Sequence, residues 1–200
     1  MKILIVGGNG AIGKTLTAHF RKNNEVLIAG RKNGDVTVDI SNSTSIREMF
    51  DQIGSLDSII CAAGEAKWDT FENLSEEDYH FGFQNKLMGQ VNLVRIGNQY
   101  LNKNDSITLT TGILADHPVI KTASAAMVNG AIHSFVKAVA LELNEGKRIN
   151  AVSAGMVQDT YEKYKNYFPG HTPVSMQKVV SGYVESVQGE NSGEIIRVYK

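Results

Sequence analysis

The sequence predicts an α/β fold in which a doubly wound, mostly parallel sheet lies between two layers of helices. Two observations predict this three-layer αβα arrangement. Short apolar runs without polar alternation, typical of strands buried on both faces, alternate with segments whose apolar residues recur at helical spacing. A glycine-rich turn, from Gly7 to Gly13, directly follows the first apolar run and precedes the first helical segment.

The first part of the chain contains a βαβ unit and then departs from the regular alternation. Lys2–Val6 and Glu25–Ala29 are predicted strands, and Ala11–Lys22 is the helix that connects them. Only about seven residues separate the second strand from the run Thr37–Asp39, whereas a parallel crossover needs a dozen or more. The third strand is therefore expected to be a reduced edge segment without its own helix.

The rest of the chain continues the alternation, and we expect a strand order resembling 3-2-1-4-5-6-7. The aromatic segment Tyr161–Pro173 is expected to form an irregular loop beside the substrate. Helices are predicted over Ser43–Ile53, from Ser75 to about Leu101, over Ala123–Leu143 and from Ser175 to about Gln188, and strands over Asp57–Ala62, Ser106–Thr111, Arg148–Ser153 and Glu194–Tyr199.

Composition indicates a single domain over residues 1–200 and excludes several classes of protein. One Cys rules out an internal disulfide framework and a four-Cys zinc site, and no other metal site is predicted. A net charge of −1 without a basic stripe argues against a nucleic-acid partner. No apolar run approaches the roughly 18 residues that span a bilayer, and the chain opens on a strand rather than a secretory signal. We therefore expect a soluble, cytoplasmic protein with no membrane partner.

The turn Gly7-x-x-Gly10-x-x-Gly13 has the spacing and the position of a dinucleotide-binding turn. Between a strand and a helix the chain must turn tightly and approach a pyrophosphate, and the start of the helix offers free N–H groups. The alternative is a glycine-rich turn without a ligand. The position directly after the first buried strand favours the ligand, and with it a Rossmann-like sheet.

Arg31 suggests which dinucleotide is bound. NAD-binding proteins of this kind place Asp or Glu near the end of the second strand, to hold the ribose hydroxyls. Here the run is Ala29-Gly30-Arg31-Lys32, and a cation suits a 2′-phosphate. NADP is therefore favoured, with NAD as the alternative, although an Arg exposed where the strand ends would look the same.

Five ordered segments resemble the short-chain dehydrogenase/reductase family, almost from end to end. Gly7–Gly13 is similar to its glycine motif, with Ala11 where the middle Gly usually stands, and Cys61–Gly64 to its Asn-Asn-Ala-Gly motif. Asp39-Ile40 resembles the pair beside the adenine, Ala140–Leu143 the end of the catalytic helix, and Arg148–Gly155 the segment beside the nicotinamide, with Ala154 in place of Pro. The turn and the resemblance together imply a cofactor site formed by Gly7, Asn9, Gly10, Ala11, Ile12, Gly13, Arg31, Asp39, Ile40, Ala62, Ala63, Gly64, Ala154 and Gly155.

The same resemblance implies that the family's catalytic residues are replaced. The family uses Asn, Ser, Tyr and Lys. Counting back from Ala140 places the Tyr position on Ala125 and the Lys position on Asn129. The Ser position falls at or beside Thr111, and the Asn position on Lys86, so only Thr111 is chemically similar.

Relative to the family pattern, the resemblance implies that Lys and Asn have exchanged places at Lys86 and Asn129. We hypothesise that Lys86 reaches toward Asn129 and restores a cation beside the nicotinamide ribose. The alternative is a surface lysine. Thr111 and Lys86 are accordingly the candidate catalytic residues. His117 is a further local candidate for the proton donor, although the general surface preference of loops favours an exposed loop histidine. Cys61 is expected to be a small core residue rather than a nucleophile. Tyr161, Tyr164 and Tyr167 are expected to pack over the cleft.

Two functions are consistent with these residues. The first is an NADP-dependent oxidoreductase that acts on an unidentified small carbonyl or alcohol with a rearranged site. The second is a non-catalytic NADP(H)-binding sensor or assembly partner, which would account for Ala125. The resemblance also implies a homodimer or homotetramer, formed through the two long helices Glu76–Leu101 and Ala123–Leu143.

Overall fold

The structure is a computed structural model that describes residues 1–199, and its strands form one parallel sheet in the order β3-β2-β1-β4-β5-β6-β7. The strand order and the fold class predicted from the sequence are confirmed. The strands are β1 (Lys2–Val6), β2 (Glu25–Gly30), β3 (Val36–Thr37), β4 (Leu56–Cys61), β5 (Leu101–Gly112), β6 (Arg148–Ala154) and β7 (Ile195–Val198).

Helices cover both faces of this sheet, and none of those described is long and apolar enough to cross a membrane. The α-helices are α1 (Ala11–Phe20), α2 (Ser43–Ile53), α3 (Glu76–Gly82), α4 (Gly89–Gly97), α5 (Ala123–Val139), α6 (Tyr161–Tyr164) and α7 (Met176–Gln188). A π-helix, Phe83–Met88, joins α3 to α4, and short 3-10 helices cover Ile113–Ala115, Gln158–Thr160 and Lys165–Tyr167.

Alternate residues of the central strand β1 face two different cores. Ile3 and Ile5 pack with α1 and α7, whereas Leu4 and Val6 pack with α2, α4 and α5. All four side chains are almost fully buried. A strand buried on both faces requires a helical layer on each side, which is why the first apolar run lacks polar alternation.

The third strand is reduced, as predicted. It pairs with β2 through two residues only, Val36 opposite Ala29 and Thr37 opposite Gly30. In place of a crossover helix, a tight loop returns the chain to the sheet edge. The Asp35 carboxylate accepts a hydrogen bond from the Ile28 N–H at 2.8 Å and fixes this loop.

The prediction of one helix from Ser75 to about Leu101 is wrong in two respects. A π-helix interrupts it, and the last helix, α4, ends at Gly97. A Cβ on Gly97 would lie 2.7 Å from the ring of Phe50, so the glycine allows α4 to approach α2 closely. Tyr100 then stacks on Phe50 with ring centroids 5.2 Å apart, and Leu101 begins β5 opposite Leu56. The apolar period across the π-helix is close to that of an α-helix, so periodicity did not reveal the interruption. Similarly, α5 ends at Val139, and turns continue the chain to Leu143.

Candidate functional site

The glycine turn forms a cradle that side chains would fill. Gly7 has a φ of +84°, and a Cβ on it would lie 2.9 Å from the carbonyl oxygen of Ala62. A Cβ on Gly13 would lie 2.0 Å from the carbonyl oxygen of Gly7. Gly10 precedes α1, and no side chain caps this helix, so its first N–H groups are available to an anion. The turn therefore fits a dinucleotide pyrophosphate.

A cleft of about 480 Å³ opens beside this turn, at the carboxyl ends of β1, β2 and β4. This is the edge at which open parallel sheets bind nucleotides. Further walls come from residues that the sequence did not single out, namely Lys32, Asn33, Val38, Glu65 and Asn85. Eight of the predicted cofactor residues line the cleft: Gly7, Asn9, Gly10, Arg31, Ile40, Ala62, Ala63 and Gly64.

The other predicted cofactor residues lie behind or beside the cleft. Ala11 and Ile12 start α1, and Gly13 packs under the turn. Asp39 accepts hydrogen bonds from the Ser41 N–H at 3.0 Å and its hydroxyl at 2.7 Å, and these bonds lower the pKa of the Asp39 carboxyl. Asp39 thus shapes the turn after β3, and Ile40 forms the wall.

Ala154 ends β6 at the far side of the same sheet edge, and Gly155 follows it. The Gly155 N–H donates to the Val198 carbonyl at 3.0 Å, and a Cβ on Gly155 would lie 2.9 Å from the Tyr199 Cβ. They contact the chain terminus and are outside the walls of the cleft described above.

Two cations stand at the mouth of the cleft. Arg31 and Lys32 are exposed, and the Arg31 Nη2 donates to the Asn85 Oδ1 at 3.4 Å. The nearest carboxylate along the chain, Asp35, is occupied by the backbone of Ile28. Arg31 forms no salt bridge among the described residues, but it is close enough to Asp39 to help lower the pKa of that carboxyl, and its exposed guanidinium can bind a phosphate.

Lys86 lies on the π-helix and packs against Gly64, which lines the cleft. Its Cα and Cγ lie 3.0 Å from where a Cβ on Gly64 would stand. Burial lowers the pKa of the Lys86 amine, and the thiol of Cys61 is close enough to interact with it electrostatically. Burial also raises the pKa of Cys61 to about 11, which supports a core role for that thiol. π-Helices are frequent at functional sites.

The hypothesis that Lys86 reaches Asn129 remains a prediction. The π-helix packs against α5, but the structure shows no hydrogen bond between the two side chains in the residues it describes. The Oδ1 of Asn129 is buried without a hydrogen-bond partner. Lys86 packs closely against Gly64 and is half-buried, and burial lowers the pKa of its amine.

Thr111 has a partner that sequence reasoning missed. Its Oγ1 lies 2.8 Å from the Nε2 of His133, and both residues are buried. Ala125, Asn129 and His133 are spaced by four residues and so share one face of α5. That spacing was visible in the sequence, because His133 is the next position of the same stripe after Asn129.

A second missed cluster joins the loop after β5 to the chain terminus. The Arg197 Nε and Nη2 donate to the Asp116 carboxylate at 2.8 and 3.2 Å, and the Tyr199 hydroxyl also bonds to it. These bonds, the Arg197 bond foremost, lower the pKa of Asp116 to about 2. His117 is exposed, as predicted, and its ring stands edge-on to Tyr199. Residues 81 positions apart in sequence gave no local signal of this contact.

Aromatic side chains cover the start of α5. Tyr161, Tyr164 and Tyr167 pack against a buried cluster that includes Ala125 and Phe168. From the loop after β4, Trp68 contacts this segment, with ring centroids 5.6 Å from Tyr164, 6.0 Å from Tyr167 and 6.4 Å from Phe168. The position assigned to the family's Tyr therefore lies beneath an aromatic cover.

Comparison with known proteins identifies the family. Residues 11–179, most of the chain, match the family model described as enoyl-(acyl carrier protein) reductase. The chain belongs to the short-chain dehydrogenase/reductase family. This is a family of oxidoreductases with a nicotinamide cofactor, and the fold and the glycine cradle agree with that assignment.

Solved structures and a curated relative resemble this family member over different lengths. The protein lin1944 from Listeria innocua is 42% identical over 100% of both chains, with a TM-score of 0.97. A small-chain dehydrogenase in complex with NADPH is 26% identical, with a TM-score of 0.88 over 98% of this chain and 95% of the other. Glucose and ribitol dehydrogenase from Daucus carota is 24% identical over 77% of this chain, which spans 64% of that protein's length.

Proposed function

We propose that this short-chain dehydrogenase/reductase is an NADP(H)-dependent oxidoreductase that acts on a small carbonyl or alcohol. The observation that carries the proposal is the tight glycine turn, formed by the close approaches at Gly7 and Gly13, beside a cleft that Arg31 also lines. The NADPH complex of a relative that is 26% identical supports this choice of cofactor.

Each wall of the cleft has a distinct part in binding NADP(H). The turn after β1 and the start of α1 hold the pyrophosphate through backbone N–H groups. Ile40 and Ala62 form an apolar wall for the adenosine. Arg31 and Lys32 bind the 2′-phosphate, because a guanidinium and an ammonium complement its charge. When bound, the cofactor supplies or accepts the hydride.

Thr111 and Lys86 are the proposed catalytic residues. Thr111 lies one residue before the carboxyl end of β5 and can donate its hydroxyl hydrogen to a carbonyl oxygen. Lys86 packs against Gly64, a residue of the cleft wall, and its amine is the donor that we assign to the reaction. Ala125 and Asn129, at the positions we assign to the family's Tyr and Lys, supply neither an acid nor a cation.

A non-catalytic NADP(H)-binding sensor or assembly partner is the second candidate. Two observations favour it, namely the side chain of Ala125, which cannot transfer a proton, and the aromatic cover above it. Such a protein would bind the cofactor tightly and leave it unchanged.

A single-turnover experiment separates the two candidates. NADPH is bound to the protein and mixed with glucose, ribose, uncharged aldehydes or ketones, while the absorbance of the reduced nicotinamide is followed. A substrate-dependent loss of absorbance that disappears in Lys86→Ala supports the oxidoreductase. Tight NADPH binding without oxidation by any compound supports the sensor, and the absence of NADPH binding contradicts both.

We also propose a homodimer or homotetramer that forms through the segment from α3 to α4 and through α5. Phe83 and Met127 are large apolar residues on these elements, and they are 42% and 41% exposed. Covering them would remove apolar surface from water. Sedimentation velocity at micromolar concentration should show an oligomer that dissociates in the double variant Phe83→Glu, Met127→Glu. A monomeric unmodified protein would contradict the proposal.

A further inference from the structure

The pair formed by Thr111 and His133 is buried between the carboxyl end of β5 and the face of α5 that also carries Ala125. Thr111 stands opposite Ser153 of β6, one residue below the carboxyl edge of the sheet. Its hydroxyl faces α5, where it meets the Nε2 of His133 at 2.8 Å. Ala125 is the first residue of the stripe that continues through Asn129 to His133, so the imidazole lies two turns farther from the start of the helix.

Reduction of a carbonyl requires a proton for its oxygen, and Ala125 has none to give. A threonine hydroxyl alone is a poor acid, because its conjugate base is unstable near neutral pH. A hydroxyl backed by an imidazole is different, since the proton that it releases is replaced at once. His117 cannot take this part, because it is exposed and packs edge-on against Tyr199.

We infer that His133 supplies the proton that Thr111 delivers to the substrate. This inference rests on the proposed oxidoreductase function, and it assigns His133 the role of a positioning residue that acts through Thr111. The hydrogen bond between the two side chains also fixes the rotamer of Thr111 at the end of β5.

The proton transfer balances in both directions. As the carbonyl carbon gains a hydride, the carbonyl π pair moves to oxygen and takes the proton of the Thr111 Oγ1. Thr111 regains a proton from the Nε2 of the imidazolium form of His133, which becomes neutral and is reprotonated from solvent. Alcohol oxidation reverses each transfer, so it requires the neutral form of His133.

The surroundings of His133 determine the pH at which each direction is fast. Burial lowers the pKa of His133 below its ordinary 6.5, and the nearby Arg197 and Lys137 lower it further, whereas Asp116 opposes them. The imidazolium form therefore persists only below that depressed pKa. The rate of carbonyl reduction should fall about tenfold for each pH unit above that pKa. The rate of alcohol oxidation should fall as the pH drops below the same pKa.

The experiment combines two measurements on four variants. Nitrogen NMR of histidine-labelled protein gives the tautomer and the titration of His133 without any substrate. The rate of NADPH oxidation is measured from acid to alkaline pH with the carbonyl compound that the single-turnover panel identifies. The variants are His133→Asn, Thr111→Val, Thr111→Ser and, as a control, His80→Asn, whose side chain is 74% exposed.

The inference predicts the following results. The rate should follow the His133 titration, and Thr111→Val should shift that titration and slow reduction by about 100-fold. Thr111→Ser should keep the native titration of His133 and the native rate of reduction, because it retains the hydroxyl. His80→Asn should change neither the titration nor the rate. Thr111→Val has nearly the same volume as the native residue, so it keeps the test decisive if His133→Asn fails to fold.

Three results would overturn the inference. If the rate of NADPH oxidation does not follow the titration of His133, the proton path is excluded. The path is also excluded if Thr111→Val leaves the titration of His133 unchanged. Both results leave the oxidoreductase proposal intact. The absence of NADPH oxidation with every compound overturns the oxidoreductase proposal, and the proton path with it.

Discussion

The carboxyl edge of the sheet has two halves, a proposed cofactor half and a proposed reaction half, and the two depend on different parts of the chain. Beside β1, β2 and β4, the cleft depends on backbone N–H groups and on the absence of side chains at Gly7 and Gly13. Beside β5 and β6, the proposed reaction depends on particular side chains, among them Thr111 and His133. The first half carries the glycine turn that resembles the family's motif; the second half contains Arg148–Gly155, which also resembles a family segment, and Ala125 and Asn129, to which we assign the positions of the family's Tyr and Lys.

Because of this difference, we expect the two halves to tolerate substitution unequally. A cradle of backbone atoms fails if a single methyl group is added at its tightest position, so it tolerates little substitution. The reaction half can exchange side chains while the strands below keep their register, because chemistry resides in the site and not in the fold. The predictions below test each half separately.

The largest effect is expected from Gly13→Ala in the cofactor half. The new Cβ would lie 2.0 Å from the Gly7 carbonyl oxygen, so the turn must move. We expect NADPH affinity to fall at least about 100-fold, or about 2.7 kcal/mol. The free energy of unfolding should fall by about 1–3 kcal/mol, as in overpacked cores. Calorimetric titration and urea unfolding measure the two quantities.

Gly130→Ala is the matched control, because it adds the same methyl group on a helix with nothing within 4 Å among the described residues. Gly130 lies on α5 in the proposed oligomer interface, so both glycine variants are made in the dissociated Phe83→Glu, Met127→Glu background. In the monomer it should stabilise the protein by about 1 kcal/mol, through helix propensity, and leave NADPH affinity unchanged. Equal NADPH affinity in the two variants would show that the cradle does not hold the cofactor.

The next largest effect is expected from Lys86→Met in the reaction half. Removing the donor should lower kcat about 100-fold, with little change in NADPH affinity. The free energy of unfolding should rise by about 1 kcal/mol, because a desolvated amine is replaced by an apolar side chain of similar length. Steady-state kinetics and urea unfolding check both results.

Lys22→Met is the control for a lost positive charge, because Lys22 is exposed on the other side of the sheet, near α7. It should leave kcat and stability as they are. A Lys86→Met variant that is more stable and equally active would mean that the buried amine takes no part in the reaction.

The sequence predicted the cofactor half better than the reaction half, for a physical reason. Glycine spacing and apolar runs are local features, so Gly7–Gly13, the reduced β3 and the strand order followed from them. The bond between Asp116 and Arg197 joins residues far apart in the chain, and only the folded sheet brings them together.

The π-helix illustrates a different limit of sequence reasoning. Its residues keep an apolar spacing close to that of the flanking helices, so periodicity predicts one continuous helix. The interruption nevertheless sets the direction in which Lys86 projects toward Gly64. A contact of this kind depends on helix register, which a single sequence does not specify.

Asp116→Asn tests whether the reaction half is held rigid by its ion pair with Arg197. The lowered pKa, about 2, stabilises the fold above the ordinary value of 3.8, and this contribution is lost as the pH falls through about 2. At pH 7 we expect the variant to be less stable by about 1–2 kcal/mol. Urea unfolding from pH 7 to acid should show the difference between the two proteins shrinking, and a difference independent of pH would contradict the ion pair's role.

The smallest effect is expected from Arg31→Ala, at the mouth of the cofactor half. Arg31 is exposed, so its contact with a 2′-phosphate is screened, and we expect NADPH affinity to fall about tenfold, or about 1.4 kcal/mol. NADH affinity should stay the same, because that cofactor lacks the phosphate. Arg47→Ala, an exposed arginine on α2, serves as the control. If both cofactors weaken equally in Arg31→Ala, the guanidinium supports the turn after β2 instead of recognising the phosphate, and cofactor preference must then reside in Lys32 or Asn33 beside it.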